Sequence, residues 1–128
     1  MITTKDKKWN DLARKFLSTS THSKYRMVAI LVKGGRLISA GANKENSAPK
    51  RYVKQIRTNM SLHAEVCCLS GISKEASRGA TIYIVGETAK GNSMLTAPCE
   101  SCLSFIFHMD LKRIVYETKE NKLEEIKL

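Results

Sequence analysis

The sequence has no apolar run approaching the roughly 20 residues that a membrane-spanning helix needs. Its start, "MITTKDKKWNDLARKF", is charged and has no apolar stretch behind it, so no secretory signal is visible either. A soluble, cytoplasmic protein with no membrane partner is expected. No internal repeat or low-complexity segment interrupts the chain. Acids are scarce: 12 Asp+Glu against 22 Lys+Arg leave a formal charge of +10. That imbalance favours anionic partners such as phosphorylated small molecules or nucleic acid, although a solubilising surface gives the same total. Only four cysteines are present, and in a reducing compartment they read as metal ligands or buried thiols rather than as a disulfide framework. At 128 residues and 42% hydrophobic content the chain can build one core and is too short for two, so a single domain over 1–128 is expected.

The apolar spacing sets out the elements. Trp9, Leu12, Ala13, Phe16 and Leu17 recur at i, i+3, i+4, i+7 and i+8, the stripe of one helix face, with Lys5, Lys7, Lys8, Asp11, Arg14 and Lys15 elsewhere. "MVAILV" (27–32) and "RLISAGA" (36–42), separated by "KGG", predict a β-hairpin. Residues 43–60 are polar and basic, a loop with some helical turn around "RYVKQI". A helix is predicted from Leu62 to about Ser70, a buried strand at "ATIYIV" (80–85), a helix opened by Pro98 through "CESCLSFIFHM", and a fourth strand at "RIVYE" (113–117). Strands alternating with helices imply an α/β sandwich with at least one parallel strand pair. Only eleven residues, 118–128, follow the fourth strand. A parallel return needs a crossover of about a dozen residues, so the strand-like "EEIKL" can come back only antiparallel, through "KEN".

Two short stretches concentrate the chemistry: "SLHAEVCC" (61–68) and "APCESC" (97–102). Cys99 and Cys102, at i and i+3 in the first turn of a helix, share a face, and the helix dipole there favours the metal-binding thiolate. His63 at the start of the other helix adds an imidazole. Two thiolates and one imidazole suit tetrahedral zinc, and three protein ligands leave a fourth position for water, the arrangement of a catalytic site. Zinc lowers the pKa of water toward about 7. Glu65, two residues after His63, is then the proton carrier, and hydrolytic removal of an amine from a nucleobase carbon follows from that pairing.

His-x-Glu with Pro-Cys-x-x-Cys, as "HAE" and "PCESC", resembles the zinc-dependent cytidine and deoxycytidylate deaminase superfamily, a signature of nucleobase deaminases. The resemblance runs over roughly the whole chain from the first helix onward. It implies a three-layer sandwich with a mixed five-stranded sheet in the order 2-1-3-4-5, helices on both faces and a last strand antiparallel to its neighbour. It implies that His63, Cys99 and Cys102 bind zinc and that Glu65 shuttles protons. By the same resemblance, the Ala64 N–H contacts the pyrimidine carbonyl and the Ala97 carbonyl receives the amino group. "GANKEN" (41–46) resembles the segment in which an asparagine, here Asn43, binds a sugar hydroxyl, with Glu45 at the position of an acid that shares that role in the nucleoside enzymes. "HAE" together with "RIVYE" resembles the deoxycytidylate branch, whereas the antiparallel tail resembles the nucleoside enzymes. Relatives of this kind are oligomers, so at least a homodimer is expected.

The expected activity is conversion of a cytosine nucleotide or nucleoside, dCMP first, to the uracil product with release of ammonia. Two other readings stand beside it. One is a cytosine or adenine deaminase acting on single-stranded DNA or RNA. Lys44, Lys50, Arg51, Lys54 and Arg57 could line a strand path or clamp a phosphate, but Tyr52 is the only aromatic there for base stacking, and no helix follows the fourth strand. The other is a non-catalytic zinc module closed by Cys67, at i+4 from His63; such a site would not explain Glu65. Cys67 and Cys68 otherwise read as small buried residues, His22 and His108 as surface or core fillers, and Phe105, Ile106 and Phe107 as core packing.

Overall fold

The computed structural model describes residues 1–44 and 63–128. Glu45, Lys50, Arg51, Tyr52, Lys54, Arg57, the expected turn around "RYVKQI" and the expected helix start at Leu62 lie outside the described residues.

Helix α1 spans Thr4–Arg14 and opens with a capping box, in which the Thr3 hydroxyl accepts the Asp6 N–H while the Asp6 carboxylate accepts the Thr3 N–H. It ends earlier than the apolar stripe predicts, because Leu17–Thr19 tightens into a 3₁₀ turn that still buries Leu17. Strands β1 (Tyr25–Lys33) and β2 (Arg36–Ala42) form the expected hairpin, turned by Gly34 and Gly35 at φ 60° and 74°, a left-handed pair that glycine adopts without strain. Helix α2 (Ala64–Leu69) leads to a one-turn helix α3 (Lys74–Ser77) that the sequence pattern missed. Strand β3 (Thr81–Thr88) runs three residues beyond the predicted end. Helix α4 (Glu100–His108), strand β4 (Arg113–Glu117) and strand β5 (Leu123–Lys127) complete the chain.

The sheet order is β2-β1-β3-β4-β5. β3 and β4 are parallel, joined by the crossover through α4, and every other neighbouring pair is antiparallel. β5 returns antiparallel as the short tail requires, around a turn in which Asn121 takes φ 61° and Asn121 N–H bonds the Thr118 carbonyl.

Strand alternation divides the core into two layers. Ala29, Leu31, Ile82, Ile84 and Ile114 face α2 and α4, meeting Ala64, Cys68, Leu69 and Ile106. Val28, Ile30, Val32, Tyr83, Val85 and Val115 face α1, meeting Ala13 and Leu17. On α4 the helical period turns Cys102 and Ile106 inward and leaves Phe107 69% exposed, so Phe107 does not pack the core as expected.

α2 lies unusually close to the hairpin. A Cβ on Gly41 would overlap the Cys68 amide nitrogen and stand 2.7 Å from the Cys67 carbonyl carbon, so strand and helix touch backbone to backbone.

Candidate active site

Each of the two helix starts on the α2–α4 side delivers part of one cluster. His63 is the N-cap of α2, and Cys99 is the N-cap of α4, where its Sγ accepts the Cys102 N–H at 3.5 Å. Pro98 therefore stands just outside α4 rather than within its first turn, where it fixes the chain direction into the cap without removing a helical donor. Cys102, one turn on, is fully buried.

His63 Nδ1 lies 3.1 Å from Cys102 Sγ and 3.6 Å from Cys99 Sγ, and the three ligand atoms are all within 4.8 Å of one another. Zn–N and Zn–S bonds of about 2.1 and 2.3 Å, set at tetrahedral angles, separate their donors by about 3.6 Å. The donor set and spacing thus fit a zinc ion held by three residues. Among the described residues Cys67 does not join the group. It is half-buried in a separate groove beside Phe16, Gly41 and Lys44. Cys68 is buried against the Ser39 carbonyl, and burial pushes its thiol up to about 12, the behaviour of a small core residue.

Burial of Cys102, reinforced by the charges of Glu65 and Cys99, raises its thiol well above the ordinary range. A divalent cation at the cluster reverses that bias, since a coordinating thiol is deprotonated outright. Burial lowers His63, helped by the charge of His22, which keeps the imidazole neutral and able to ligate. Glu65 is 3% exposed, and burial raises its carboxyl to about 7.

A cavity of about 160 Å³ opens on this cluster, lined by Tyr25, Met27, Asn43, His63, Glu65, Met94, Leu95, Ala97 and Cys99. A larger cleft of about 690 Å³ lies on the α1 side, among Lys7, Asn10, Arg14, Glu117 and Lys122, and holds none of the cluster's ligands. The smaller cavity is the chemical one, because the convergent polar groups and the shifted carboxyl are there.

Of the residues expected at the site, His63, Glu65, Asn43, Ala97, Cys99 and Cys102 are brought together, and Ala64 is fully buried between His63 and Glu65. Asn43 is more constrained than a free ligand-binding side chain. Its Oδ1 accepts from Met27 N–H (2.8 Å) and from the Ser20 hydroxyl, and its Nδ2 donates to the Tyr25 carbonyl at 3.1 Å. Among the described residues one amide proton remains without a partner, so Asn43 can give a hydrogen bond to a ligand oxygen but has little capacity left to accept one.

Tyr25, Met27, Met94 and Leu95 are the wall residues that sequence reasoning missed. Tyr25 and Met27 come from the start of β1, where the apolar pattern reads as core. Met94 and Leu95 come from a loop without periodicity. The loop is held by Thr96, whose hydroxyl donates to the Ile84 carbonyl (2.8 Å) and accepts the Glu117 N–H (2.7 Å), while its own N–H bonds the Glu117 carbonyl (2.9 Å).

Among the described residues no helix is long and apolar enough to cross a membrane. Comparison with solved structures places the fold beside cytidine deaminase from Burkholderia pseudomallei, with TM-score 0.68 and 20% identity over 98% of this chain and 93% of that one. The dCMP deaminase from the cyanophage S-TIM5 matches with TM-score 0.61 and 22% identity over 92% and 86%. RibD from Acinetobacter baumannii matches with TM-score 0.56 and 20% identity over 85% of this chain and 27% of that one. No curated protein matches the chain by sequence. The sequence profile of the cytidine and deoxycytidylate deaminase zinc-binding region does match, over residues 3–118, and it runs from the cap of α1 through both cluster helices to the end of β4. By that match the chain belongs to the cytidine and deoxycytidylate deaminase family.

Proposed function

We propose that residues 1–128 form one deaminase domain that hydrolyses a cytosine nucleotide or nucleoside, dCMP in preference, to the uracil product and ammonia. The observation that carries this reading is the three-donor cluster His63, Cys99 and Cys102 with buried Glu65 beside it in one cavity. His63, Cys99 and Cys102 would hold a zinc ion, which would supply a bound water of lowered pKa. Glu65 takes a proton from the attacking water and gives it to the ring nitrogen, then takes the second proton from the new hydroxyl on the carbon and gives it to the departing amine. With its carboxyl raised to about 7, Glu65 can both accept and return a proton near neutrality. The Ala64 N–H meets the pyrimidine carbonyl and the Ala97 carbonyl meets the amino group, which orients the carbon under attack. Asn43 donates its remaining amide proton to a sugar hydroxyl, and Glu45 is the candidate to share that hydroxyl.

The preference for dCMP follows from the charge of +10 and from the resemblance of "HAE" with "RIVYE" to the deoxycytidylate branch. The S-TIM5 dCMP deaminase has been solved in complex with dCMP and dUMP, which fits a nucleotide reading of this fold. Phe107, apolar and 69% exposed, suits assembly into a homo-oligomer; a monomer by light scattering would remove that part of the reading.

The test is chromatographic product analysis with zinc-loaded protein on dCMP, CMP, deoxycytidine, cytidine and a cytosine-containing single-stranded oligonucleotide, with Glu65→Ala as control. One mononucleotide or nucleoside should be converted by the parent protein and by less than about a thousandth as much in the variant. Conversion of the oligonucleotide alone would transfer the activity to nucleic acid. Inertness on every substrate with zinc bound would leave a non-catalytic zinc module.

A further inference from the structure

Met94, Leu95, Ala97 and Cys99 bring nearly half of the cavity lining from one segment that is neither helix nor strand. Such a segment has no ladder of its own, so its place relative to His63 and Glu65 depends on what ties it to the sheet. Between Ser93, bridged to Glu87, and Cys99, the N-cap of α4, every hydrogen bond to the sheet among the described residues is made by Thr96.

The Thr96 hydroxyl bridges two neighbouring strands. It donates to the Ile84 carbonyl of β3 at 2.8 Å and accepts the Glu117 N–H of β4 at 2.7 Å, while the Thr96 N–H reaches the Glu117 carbonyl at 2.9 Å. Glu117 is itself a fixed post, since its carboxylate accepts from the Gly86 N–H, Asn10 Nδ2 and Arg14. Glycine at 86 leaves room for the Thr96 methyl; a Cβ there would stand 3.0 Å from Thr96 Cγ2. A β-branched side chain held at both branches keeps one rotamer. The segment is therefore pinned at one fully buried residue, by a side chain that takes no part in the cavity lining.

Placement matters here because the cavity is small, about 160 Å³. Ala97 follows Thr96 directly and Cys99 comes one residue after Pro98, so one tether governs both the wall and one of the metal-binding side chains. A displacement of about 1 Å at a reacting group can cost about a hundredfold in rate.

We propose that Thr96 is a positioning residue of the site, whose hydroxyl pins residues 94–99 to β3 and β4. It thereby sets the distance of the Met94, Leu95 and Ala97 wall, and of Cys99, from His63 and Glu65. The kinetic consequence rests on the deaminase reading above, whereas the consequence for the metal cluster rests on the geometry alone.

Three variants test it. Thr96→Val keeps the shape and removes the hydroxyl, and Thr96→Ser keeps the hydroxyl and removes the methyl. Tyr83→Phe removes a buried hydroxyl that bonds Asp6 on the α1 face, a control for stability lost away from the wall. Two readouts are compared on folded protein. One is kcat and KM, with zinc loaded, for the cytosine substrate that the parent converts. The other is the visible ligand-field spectrum of protein loaded with cobalt(II) in place of zinc, which reports the geometry of the thiolate and imidazole donors. Expected for Thr96→Val is a fall in kcat/KM of about tenfold or more, with shifted cobalt bands. Thr96→Ser should stay near the parent in both, and Tyr83→Phe should melt lower with both unchanged. If Thr96→Val fails to fold, Thr96→Ala leaves space for a water to meet the Ile84 carbonyl and the Glu117 N–H without tethering the segment, and the same losses are expected of it. Parent kinetics and parent bands in a Thr96→Val or Thr96→Ala protein that merely melts lower would overturn the inference, as would a Thr96→Ser protein as impaired as Thr96→Val. A parent protein that converts no cytosine substrate would overturn the deaminase reading, and the cobalt bands would still decide for or against Thr96.

Discussion

Asp6, in α1, and Glu65, in α2 on the opposite face of the sheet, are carboxylates of nearly equal burial, 2% and 3% exposed. Burial acts on both to raise the carboxyl. At Asp6 that pressure is overcome by the Arg113 guanidinium at 2.8 and 2.9 Å, the Tyr83 hydroxyl at 2.7 Å and the Thr3 N–H, which together hold it well below the usual range. At Glu65 no cationic side chain among the described residues opposes burial, and the carboxyl rises to about 7. The contrast extends to the neighbours. Glu117 on the α1 side accepts from Arg14, from Asn10 Nδ2 and from the Gly86 N–H. On the cluster side, by contrast, Cys102 is a buried thiol raised by the same lack of compensation. One face uses its buried charge to join α1, β3, β4 and β5; the other, among the described residues, sets no cationic side chain against it where a metal ion and a substrate fit.

The largest expected effect separates the faces by removing the metal. A chelator that strips zinc should lower ammonia release on the order of 10³-fold or more while far-ultraviolet circular dichroism keeps the folded spectrum. Full activity in protein shown to be metal-free would break the comparison.

Arg113→Met sharpens it from the other side. Asp6 is then left buried without its cation, and denaturant unfolding should show a loss of about 3–5 kcal/mol. The double variant Asp6→Asn with Arg113→Met should recover much of this, and kcat per folded molecule should stay at the parent value in both. A loss of activity that outruns the loss of folded protein would mean the α1 face serves the chemistry directly.

The smallest effect is in acid. Because folding lowers the Asp6 carboxyl from an ordinary value of 3.8, its contribution to stability is complete above that value and is lost as pH falls through it toward the lower folded value. Unfolding free energy measured from pH 5 down to 2 should fall more steeply in the parent than in Asp6→Asn, by up to about 1.4 kcal/mol per pH unit. Parallel slopes would mean that Asp6 is not held down.

The cluster face was the legible one. "HAE" and "PCESC" are local motifs, each placed by the start of one helix, and the short continuous apolar runs in "MVAILV", "ATIYIV" and "RIVYE" carried the sheet. The short tail dictated the antiparallel β5 by length alone. The α1 face was not legible, because its polar partners are remote: Asp6 and Arg113, like Asn10 and Glu117, are 107 positions apart. Hydropathy assigns Asp6 and Asn10 to solvent, yet the structure buries them on the same side of α1 as Ala13. The cavity wall failed for a different reason. Tyr25 and Met27 look like any strand apolar residues, and Met94 and Leu95 come from a loop with no apolar period to read.

The meeting of Gly41 with the Cys67–Cys68 peptide gives the site a hard stop. Most helices ride on side chains, and exchanging one core residue for another shifts them by fractions of an ångström. α2 rests on the sheet at the thickness of two peptide backbones, a spacing that no larger or smaller core side chain can reset. His63 and Glu65 inherit their height above the sheet from that contact. Drift in the core can soften this protein without detuning it, and redesign of the cavity must work from β1 and the loop before α4 rather than by moving α2.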